Sequence, residues 1–353
     1  MHVSNRIVVH GAGSVGCYIG GCLAAAGLSV TYLGRPRIQS EVAANGMLVT
    51  DQDGRRHAFQ PCEVDYRTEP ETLSEATLIL VTVKSEGTKA AVQEIQRYAR
   101  VGVPVVSLQN GVRNAAELRA GLGDERVLAG MVPFNVVHLG PGHWHCGTSG
   151  KLEIEGSALL ADYLPWFGKA DLPVVEMTDV AATQWGKLLL NLNNPINALS
   201  GLPLRDELAQ ASYRQCFALC VEEAVQCLIA AGITPRSIGS MPPAEMIELL
   251  RLPDAEYHRV VGKHHKIDAA ARSSMWEDLE HGRPTEVDYL SGEVVALAET
   301  LGRASPINAR ARALVREAER GGRRDWTAKE LLKQFEDAVT IACQEPKAGK
   351  VVR

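Results

Sequence analysis

Arg6 to Gly27 reads RIVVHGAGSVGCYIGGCLAAAG, and the fold of the first half of the chain turns on how it is read. RIVVH is an apolar run of strand length, and CYIGGCLAAAG is a small-residue run of helical character. Between them GAGSVG spaces its glycines as G-x-G-x-x-G. Gly11 suits a tight turn out of the strand, Gly13 leaves room for a pyrophosphate to reach the backbone, and Gly16 lets the helix sit close to the sheet. Glycines at this spacing mean little alone, but a strand before them and a helix after them give a dinucleotide cradle. Gly11, Ala12, Gly13, Ser14, Val15 and Gly16 are its expected members.

Moving outward, a second strand is expected at Ser29 to Leu33, and GRPR follows it. An NAD site places a carboxylate there for the ribose 2′-hydroxyl, whereas this chain offers Arg35 and Arg37 and no acid before Glu41. Guanidinium groups suit a 2′-phosphate, so the expected cofactor is NADP (NADPH) with Arg35 as its reader. MLVTDQDGRRHAF reads as a hairpin turning at DQDG. TLILVTVK (Thr77 to Lys84) and VPVVSLQNG (Val103 to Gly111) are buried-type strands flanking a polar helix. Their carboxyl ends carry Lys84 and Asn110, on the edge where an open parallel sheet binds ligands. Val127 to Gly156 alternates in strand fashion between Gly-Pro and Gly-Thr-Ser-Gly turns, which predicts an antiparallel addition to the sheet, and LPVVEMTD supplies a last strand.

From Ala181 the period changes to helical. The expected organisation is therefore α/β: a Rossmann-like NADP-binding domain over 1–179, an all-helical substrate and dimerisation domain over 180–345, and a tail at 346–353. Trp185 to Ser200, WGKLLLNLNNPINALS, opens the helical half. Lys187 and Asn191 are four apart and stack on one helix face, and Asn194 lies one turn further along it. Pro195 cannot donate to the Asn191 carbonyl, so a bend or break is expected there. Leu208 to Ala231, Ala269 to Leu279 and Glu286 to Leu301 are further predicted helices, with a loop around MPPAEM and LPDAEY. Gly321-Gly322 ends another, and Thr327 with Glu330 makes a capping-box signal for the last.

Composition narrows the function. Hydrophobic content of 46%, charged content of 22% and a net charge of -5 give no electrostatic footprint for nucleic acid. No apolar run approaches the ~20 residues of a membrane span, and MHVSNR leads straight into a strand, so a cytoplasmic protein is expected. The eight cysteines form no CxxC pair, which predicts reduced thiols. Cys216, Cys220 and Cys227 fall at helical spacing and read as buried hydrophobes. HWHC at residues 143–146 is a metal-like cluster without a second ligand group, so no metal is expected. The helical half, with long faces, suits a homodimer.

The motifs GAGSVG, VKSEGT, SLQNG, WGKLLLN and SSMWEDLEHGRPTEVDYLSG together resemble the ketopantoate reductase (2-dehydropantoate 2-reductase) family, over roughly Ile7 to Arg316. The resemblance implies reduction of a small 2-keto acid to the 2-hydroxy acid by NADPH, as in pantothenate biosynthesis. It implies Lys187 as proton donor and Asn110 touching both nicotinamide and substrate. Asn191 and Ser274 would hold the substrate, Glu286 would close the site near the cofactor, and Lys84 would bind NADP with the glycine turn. Elementary chemistry asks for the same groups: hydride addition builds negative charge on a carbonyl oxygen, and an ammonium there stabilises it and delivers the proton. A lysine leaving water loses basicity and a neighbouring carboxylate restores it, so Glu286 can tune Lys187.

Each residue also has a plainer reading. Ser274 would serve as a helix cap, and Glu286 as a helix-start carboxylate beside a capping Thr285. The chain departs from the family at Pro195, where many members carry a second asparagine, so Asn194 or Asn197 has to replace it. It departs again over Thr234 to His265, which holds Pro242, Pro243, His258, His264 and His265. The alternatives to a ketopantoate reductase are a dehydrogenase of another hydroxy or keto acid and an NADP-binding sensor without turnover.

Overall fold

The computed structural model describes residues 5–237, 241–261 and 271–344. His264, His265, the start of the helix expected from Ala269 and the 346–353 tail lie outside them. The chain divides into two compact units, Met1–Gln184 and Trp185–Arg353.

The strands of the first unit are β1 (Arg6–His10), β2 (Ser29–Leu33), β3 (Met47–Asp51), β4 (Arg56–Phe59), β5 (Asp65–Arg67), β6 (Leu78–Val81), β7 (Val105–Ser107), β8 (Val127–Met131), β9 (Val136–Gly140), β10 (His143–Cys146), β11 (Leu152–Glu155) and β12 (Val174–Met177). Its helices are α1 (Ser14–Ala25), α2 (Pro36–Asn45), α3 (Thr88–Tyr98), α4 (Asn114–Leu122) and α5 (Leu164–Lys169), and α6 (Val180–Asn191) begins in it. The main sheet runs β12-β11-β8-β7-β6-β1-β2-β5. From β5 through β8 neighbouring strands are parallel, while β11 meets β8 antiparallel. Strand β1 lies where the order reverses, with β2 on one side and β6 on the other, which is the position at which open α/β sheets bind ligands.

The expected antiparallel addition is right for β11, wrong for β8, which extends the sheet parallel to β7, and wrong for β9 and β10. Strands β9 and β10 join β3 and β4 in a separate sheet, ordered β4-β3-β10-β9. Alternation along HWHC does its work there: Trp144 and Cys146 point inward, and His143 and His145 both bond the Thr50 hydroxyl at 2.8 Å. Helix α1 explains the second sheet. It is buried continuously from Gly16 to Leu23, so it needs cover on more than the face that meets the main sheet. Its glycines permit the approach: a Cβ on Gly20 would lie 2.5 Å from the Tyr32 ring, and one on Gly21 would lie 2.5 Å from Val49 Cγ2. Gly11, φ +101, is held against the Val83 amide nitrogen, 2.3 Å from where its Cβ would stand.

In the second unit α6 ends at Asn191 and α7 (Asn193–Ser200) follows. Then come α8 (Leu204–Leu208), α9 (Ala211–Ala230), α10 (Pro243–Arg251), α11 (Asp254–Val261), α12 (Ser274–Glu280), α13 (Ser291–Thr300), α14 (Pro306–Glu319) and α15 (Ala328–Gln344). The loop expected around MPPAEM and LPDAEY is instead the two helices α10 and α11. Pro243 takes the first helical position, where the missing amide hydrogen has no partner to lose, so the prolines start α10 rather than prevent it. Leu208 belongs to α8, and the helix expected from Glu286 is a 3₁₀ turn (Val287–Tyr289) followed by α13. The capping box at Thr327 is present, the Thr327 amide donating to Glu330 Oε2 at 3.0 Å.

The twenty-residue α9 is the hub of this unit and packs against α7, α8, α10, α13, α14 and α15. Cys216, Cys220 and Cys227 lie buried along it as free thiols. Two buried charges on α9 have their partners supplied. Arg214 donates to the carbonyls of Leu208, Leu250 and Leu252 and to Asp254, and stacks 4.1 Å over the Tyr257 ring. Glu223 accepts the Ile307 and Asn308 amides at 3.0 and 2.8 Å and so caps α14 at its positive end. A buried ion is tolerated only when its polar atoms are matched in this way.

The close approach of α1 to the second sheet is testable. Gly21→Val drives its branches into the buried Val49, and overpacking of this kind destabilises by about 1–3 kcal/mol. Thermal unfolding checks it, and an unchanged midpoint would mean that α1 and β3 are not in tight contact.

Candidate functional site

In the first unit the glycine turn is tied to the end of the next strand. The amides of Gly11 and Ala12 both donate to the Leu33 carbonyl at 2.9 Å, which brings the turn beside GRPR. Thr82 Oγ1 donates to the Gly11 carbonyl at 2.9 Å and Tyr66 Oη to the Ala12 carbonyl at 2.8 Å. The three glycines do different work. Gly11 adopts a backbone that other residues rarely take, and a Cβ on Gly16 would strike Thr82 Oγ1 at 2.6 Å and Val9 at 2.8 Å. A Cβ on Gly13, by contrast, would meet nothing nearer than the Gly11 carbonyl at 3.9 Å. Gly13 is exposed and caps α1 without any side-chain partner for its first amides, and no acidic residue lies in the first turn. That open, amide-lined end, with Ser14 and Val15 half-buried beside it, is the surface an anion requires.

Arg35 caps α2 just beyond β2, and its side chain is exposed. Arg37 is an exposed charge in the first turn of α2, not in a loop, and pairs with Glu41 one turn on at 3.3 Å. Glu41 itself is turned to the second sheet, bonded to the His138 ring and, at 2.6 Å, to the Gly142 amide. The acid nearest to GRPR in sequence is thus shared, one oxygen on Arg37 and the other on the second sheet.

Lys84 precedes a 3₁₀ turn after β6, and Asn110 follows β7; both are half-buried. A chain of hydrogen bonds that sequence reading missed joins these strand ends. Ser85 Oγ and Asn114 Nδ2 both donate to the Asn110 carbonyl, Asn114 Nδ2 also reaches Ser85 Oγ at 3.0 Å, and Thr88 Oγ1 donates to Asn114 Oδ1 at 2.9 Å. Gln109 continues it to Thr88 at 2.7 Å. The signal was present in the polar residues of VKSEGT and SLQNG, but nothing local indicates that they meet.

In the second unit Lys187 and Asn191 stand one turn apart on α6, both half-buried. Burial pushes the Lys187 ammonium down to about 8, and the Glu286 carboxylate pulls it the other way. The expected break comes one turn before the proline: Leu192 lies outside both helices, and Pro195 takes the third position of α7, where an amide has no helical acceptor. Asn194 is half-buried at the second position of α7, so it does not continue the α6 face as a single regular helix would. Asn197 is removed from the substrate candidates. It is fully buried, its Nδ2 donating to Glu207 Oε2 at 2.6 Å and to the Leu202 carbonyl at 3.0 Å, its Oδ1 accepting the Ser273 amide at 2.9 Å.

The capping reading of Ser274 belongs to its neighbour. Ser273 Oγ accepts the Trp276 amide at 3.1 Å, while Ser274 is the first residue of α12 and is exposed. Glu286 is half-buried just after Thr285, whose amide and hydroxyl both donate to Glu319 Oε1, at 2.8 and 2.7 Å. Asp288 is taken up by Arg312 and Arg316. Among the described residues no group of histidine, cysteine and carboxylate side chains is arranged to hold a metal ion. No described helix is long and apolar enough to cross a membrane.

Comparison with known proteins bears on both units. The profile described as "Ketopantoate reductase PanE/ApbA" matches residues 7–157, and that of the same family's C terminal matches residues 179–319. The 2-dehydropantoate 2-reductase of Halobacterium salinarum is 30% identical over 329 residues, covering 90% of this chain and 100% of the relative. Among solved structures, a PanE/ApbA family ketopantoate reductase from Ralstonia eutropha superposes with a TM-score of 0.76 at 29% identity, covering 90% of this chain and 99% of the other. A D-mandelate dehydrogenase with NADH and anilino(oxo)acetate has the same fold, with a TM-score of 0.74 at 17% identity, again over 90% and 99%.

Gly13 separates folding from binding. Gly13→Ala is expected to leave stability within about 0.5 kcal/mol, as at an exposed surface position. It should weaken dinucleotide binding about tenfold or more, since each tenfold is about 1.4 kcal/mol. Nucleotide titration beside a thermal melt measures both, and unaltered affinity would remove the glycine turn from the cofactor's path.

Proposed function

The chain belongs to the ketopantoate reductase family, and from that premise we propose that it reduces 2-dehydropantoate, or a closely related 2-keto acid, to the 2-hydroxy acid with NADPH. As a member of the family it is a pyridine-nucleotide-dependent oxidoreductase acting on CH–OH, with a Rossmann-like domain and a helical one. The single observation that carries the finer reading is Lys187: an ammonium brought down to about 8 by burial, opposed by Glu286, with Asn191 one turn away.

The first unit suits the nucleotide. Gly13 is open, the first amides of α1 are uncapped, and Arg35 is an exposed guanidinium beside the turn, with Glu41 paired to Arg37 and the second sheet. In this reading Gly11 to Gly16 and Lys84 bind the pyrophosphate region, Arg35 reads the 2′-phosphate, and the Asn110 amide orients nicotinamide and substrate. The bound nicotinamide supplies the hydride. Lys187 stabilises the negative charge that grows on the carbonyl oxygen and gives it the proton. Asn191, Asn194 and Ser274 hold the carboxylate and hydroxyl groups of the keto acid without adding charge. Glu286 keeps the ammonium protonated at neutral pH, since burial alone would favour the free amine.

This account makes the direction of pH dependence definite. The reducing reaction needs Lys187 charged, so kcat falls as pH rises through about 8. Lys187→Ala should lose most of kcat, by about 10²–10⁴-fold for a general acid, and keep NADPH binding. Loss of NADPH absorbance with 2-dehydropantoate and a panel of other 2-keto acids measures this. A variant as fast as the parent removes Lys187 from the mechanism, and cofactor binding with no turnover across the panel would favour a sensor.

Cofactor choice is tested separately. Arg35→Ser should raise the NADPH dissociation constant about tenfold or more, on the scale of a charge-assisted contact, and leave NADH nearly unchanged. Equal effects on the two nucleotides would sink the 2′-phosphate assignment.

A further inference from the structure

Glu207 is a glutamate with no exposure, on the short helix α8, and the chemistry above does not use it. One of its oxygens accepts Asn197 Nδ2 at 2.6 Å. The other, Oε1, is buried and has no hydrogen-bond partner among the described residues; Asn193 Oδ1 is in the same position, and the Asn193 side chain stands against the same carboxyl group. A proton on Glu207 turns one of these two lone acceptors into a donor. Burial points to the same state: it pushes the carboxyl up to about 8, against the hydrogen bonds of Asn197 and Asn193.

Beyond Asn197 lies a seam between the segment that leads into α12 and the segment from α7 to α8. Asn197 Oδ1 accepts the Ser273 amide at 2.9 Å, Ser273 Oγ donates to the Asn194 carbonyl at 3.4 Å, the Leu204 amide donates to the Ala271 carbonyl at 2.9 Å, and Arg272 Nη1 donates to the Gly201 carbonyl at 2.6 Å. Ser274 and Asn194, both assigned above to the substrate, stand on opposite sides of it. Asn197 joins the seam to the buried acid, and its amide is used at both ends.

We propose that Glu207 is a positioning residue that, through Asn197, sets Ser274 and the first turn of α12 against Asn194. The proposal rests on the reading of Ser274 and Asn194 as substrate-holding residues. It is the neutral acid that does this. An ionised Glu207 would be a buried charge with, among the described residues, the amides of Asn197 and Asn193 beside it and no cation paired to it, and relieving it would require the seam to open. Among the described residues, the titratable groups that feel Glu207 are Tyr213 and Cys216 of α9 and Tyr257 of α11; burial pushes all three upward, so none carries a charge near pH 8. With the folded acid at about 8 and the ordinary value at 4.5, this group's contribution to stability is complete below pH 4.5 and is lost as pH rises through about 8.

Glu207→Gln copies the neutral acid, and Glu207→Leu removes its hydrogen bonds. The decisive measurement is the KM for the 2-keto acid from pH 6.5 to 9.5, with kcat and the NADPH dissociation constant followed alongside. The parent's KM should rise above about pH 8 while that of Glu207→Gln stays level, and Glu207→Leu should show a KM about tenfold higher at pH 7 with NADPH affinity within about twofold. A Glu207→Gln variant with the parent's alkaline rise in KM, or a Glu207→Leu variant with the parent's KM, overturns the proposal. Should Glu207→Leu not fold, the Glu207→Gln profile decides alone. If the parent turns over no 2-keto acid, the proposed function has failed and the seam is read by amide hydrogen exchange of residues 271–276 at pH 7 and 9. Faster exchange at pH 9 in the parent, normalised for the intrinsic rate and absent in Glu207→Gln, supports the lock, and identical profiles refute it.

Discussion

An ammonium drawn out of water is the constraint on which the second unit depends. Lys187 has lost enough solvent for its basicity to fall to about 8, so the charged form survives at neutral pH only with a carboxylate in range and a backbone that cannot drift. Both conditions shape the surrounding chain. Glu286 follows a threonine clamped by Glu319 of α14, and Asp288, two residues on, is paired with Arg312 and Arg316 of the same helix. The segment from Thr285 to Asp288, which holds Glu286, is thereby fastened to α14 at both ends. On the lysine's side Asn191 closes α6, and the interruption at Leu192 puts Pro195 in the first turn of α7, where its missing amide hydrogen has no helical acceptor to lose.

The first unit answers a different demand, that of an anion at a backbone. Every polar contact around the glycine turn goes to a carbonyl or comes from an amide facing away from the open side: Leu33 takes the amides of Gly11 and Ala12, and Thr82 and Tyr66 take their carbonyls. The turn is held from behind and Gly13 is left open. The hydrogen bonds linking Ser85, Thr88, Gln109 and Asn114 hold the next two strand ends in the same manner, through the Asn110 carbonyl.

Legibility in the linear chain tracks the range of the interactions. Gly11 to Gly16 and the Lys187–Asn191 pair are set by spacing within one turn or one helix, and such patterns are visible in a linear chain. The alternation in HWHC gives each residue its face, but a face does not name its sheet, and β10 went to β3 because α1 had to be covered. Pro242 and Pro243 read as a break, since a proline is neutral only at a helix start and the start was not visible. Adjacent serines at 273 and 274 left the cap ambiguous until one was seen to accept the Trp276 amide. Glu207, Asn197 and Ser273 were out of reach altogether, because a contact across 76 residues between an amide and a backbone N–H leaves no periodic trace.

Lys187 and Glu207 then stand as two outcomes of one force. Desolvation penalises the charged form of either, lowering the base to about 8 and raising the acid to about 8. Their neighbours set the part each plays. Lys187 has a carboxylate that opposes its burial, and so it keeps its charge at neutral pH and can act on a substrate. Glu207 has, among the described residues, amides and no cation beside it, and so burial favours its proton and the proposed part of a donor and acceptor within the fold. As pH rises through the same interval the lysine loses a positive charge and the glutamate gains a negative one. The proposed proton donor and the proposed support beneath Ser274 and Asn194 therefore share an alkaline limit, although Lys187 and Glu207 lie on different helices of the second unit.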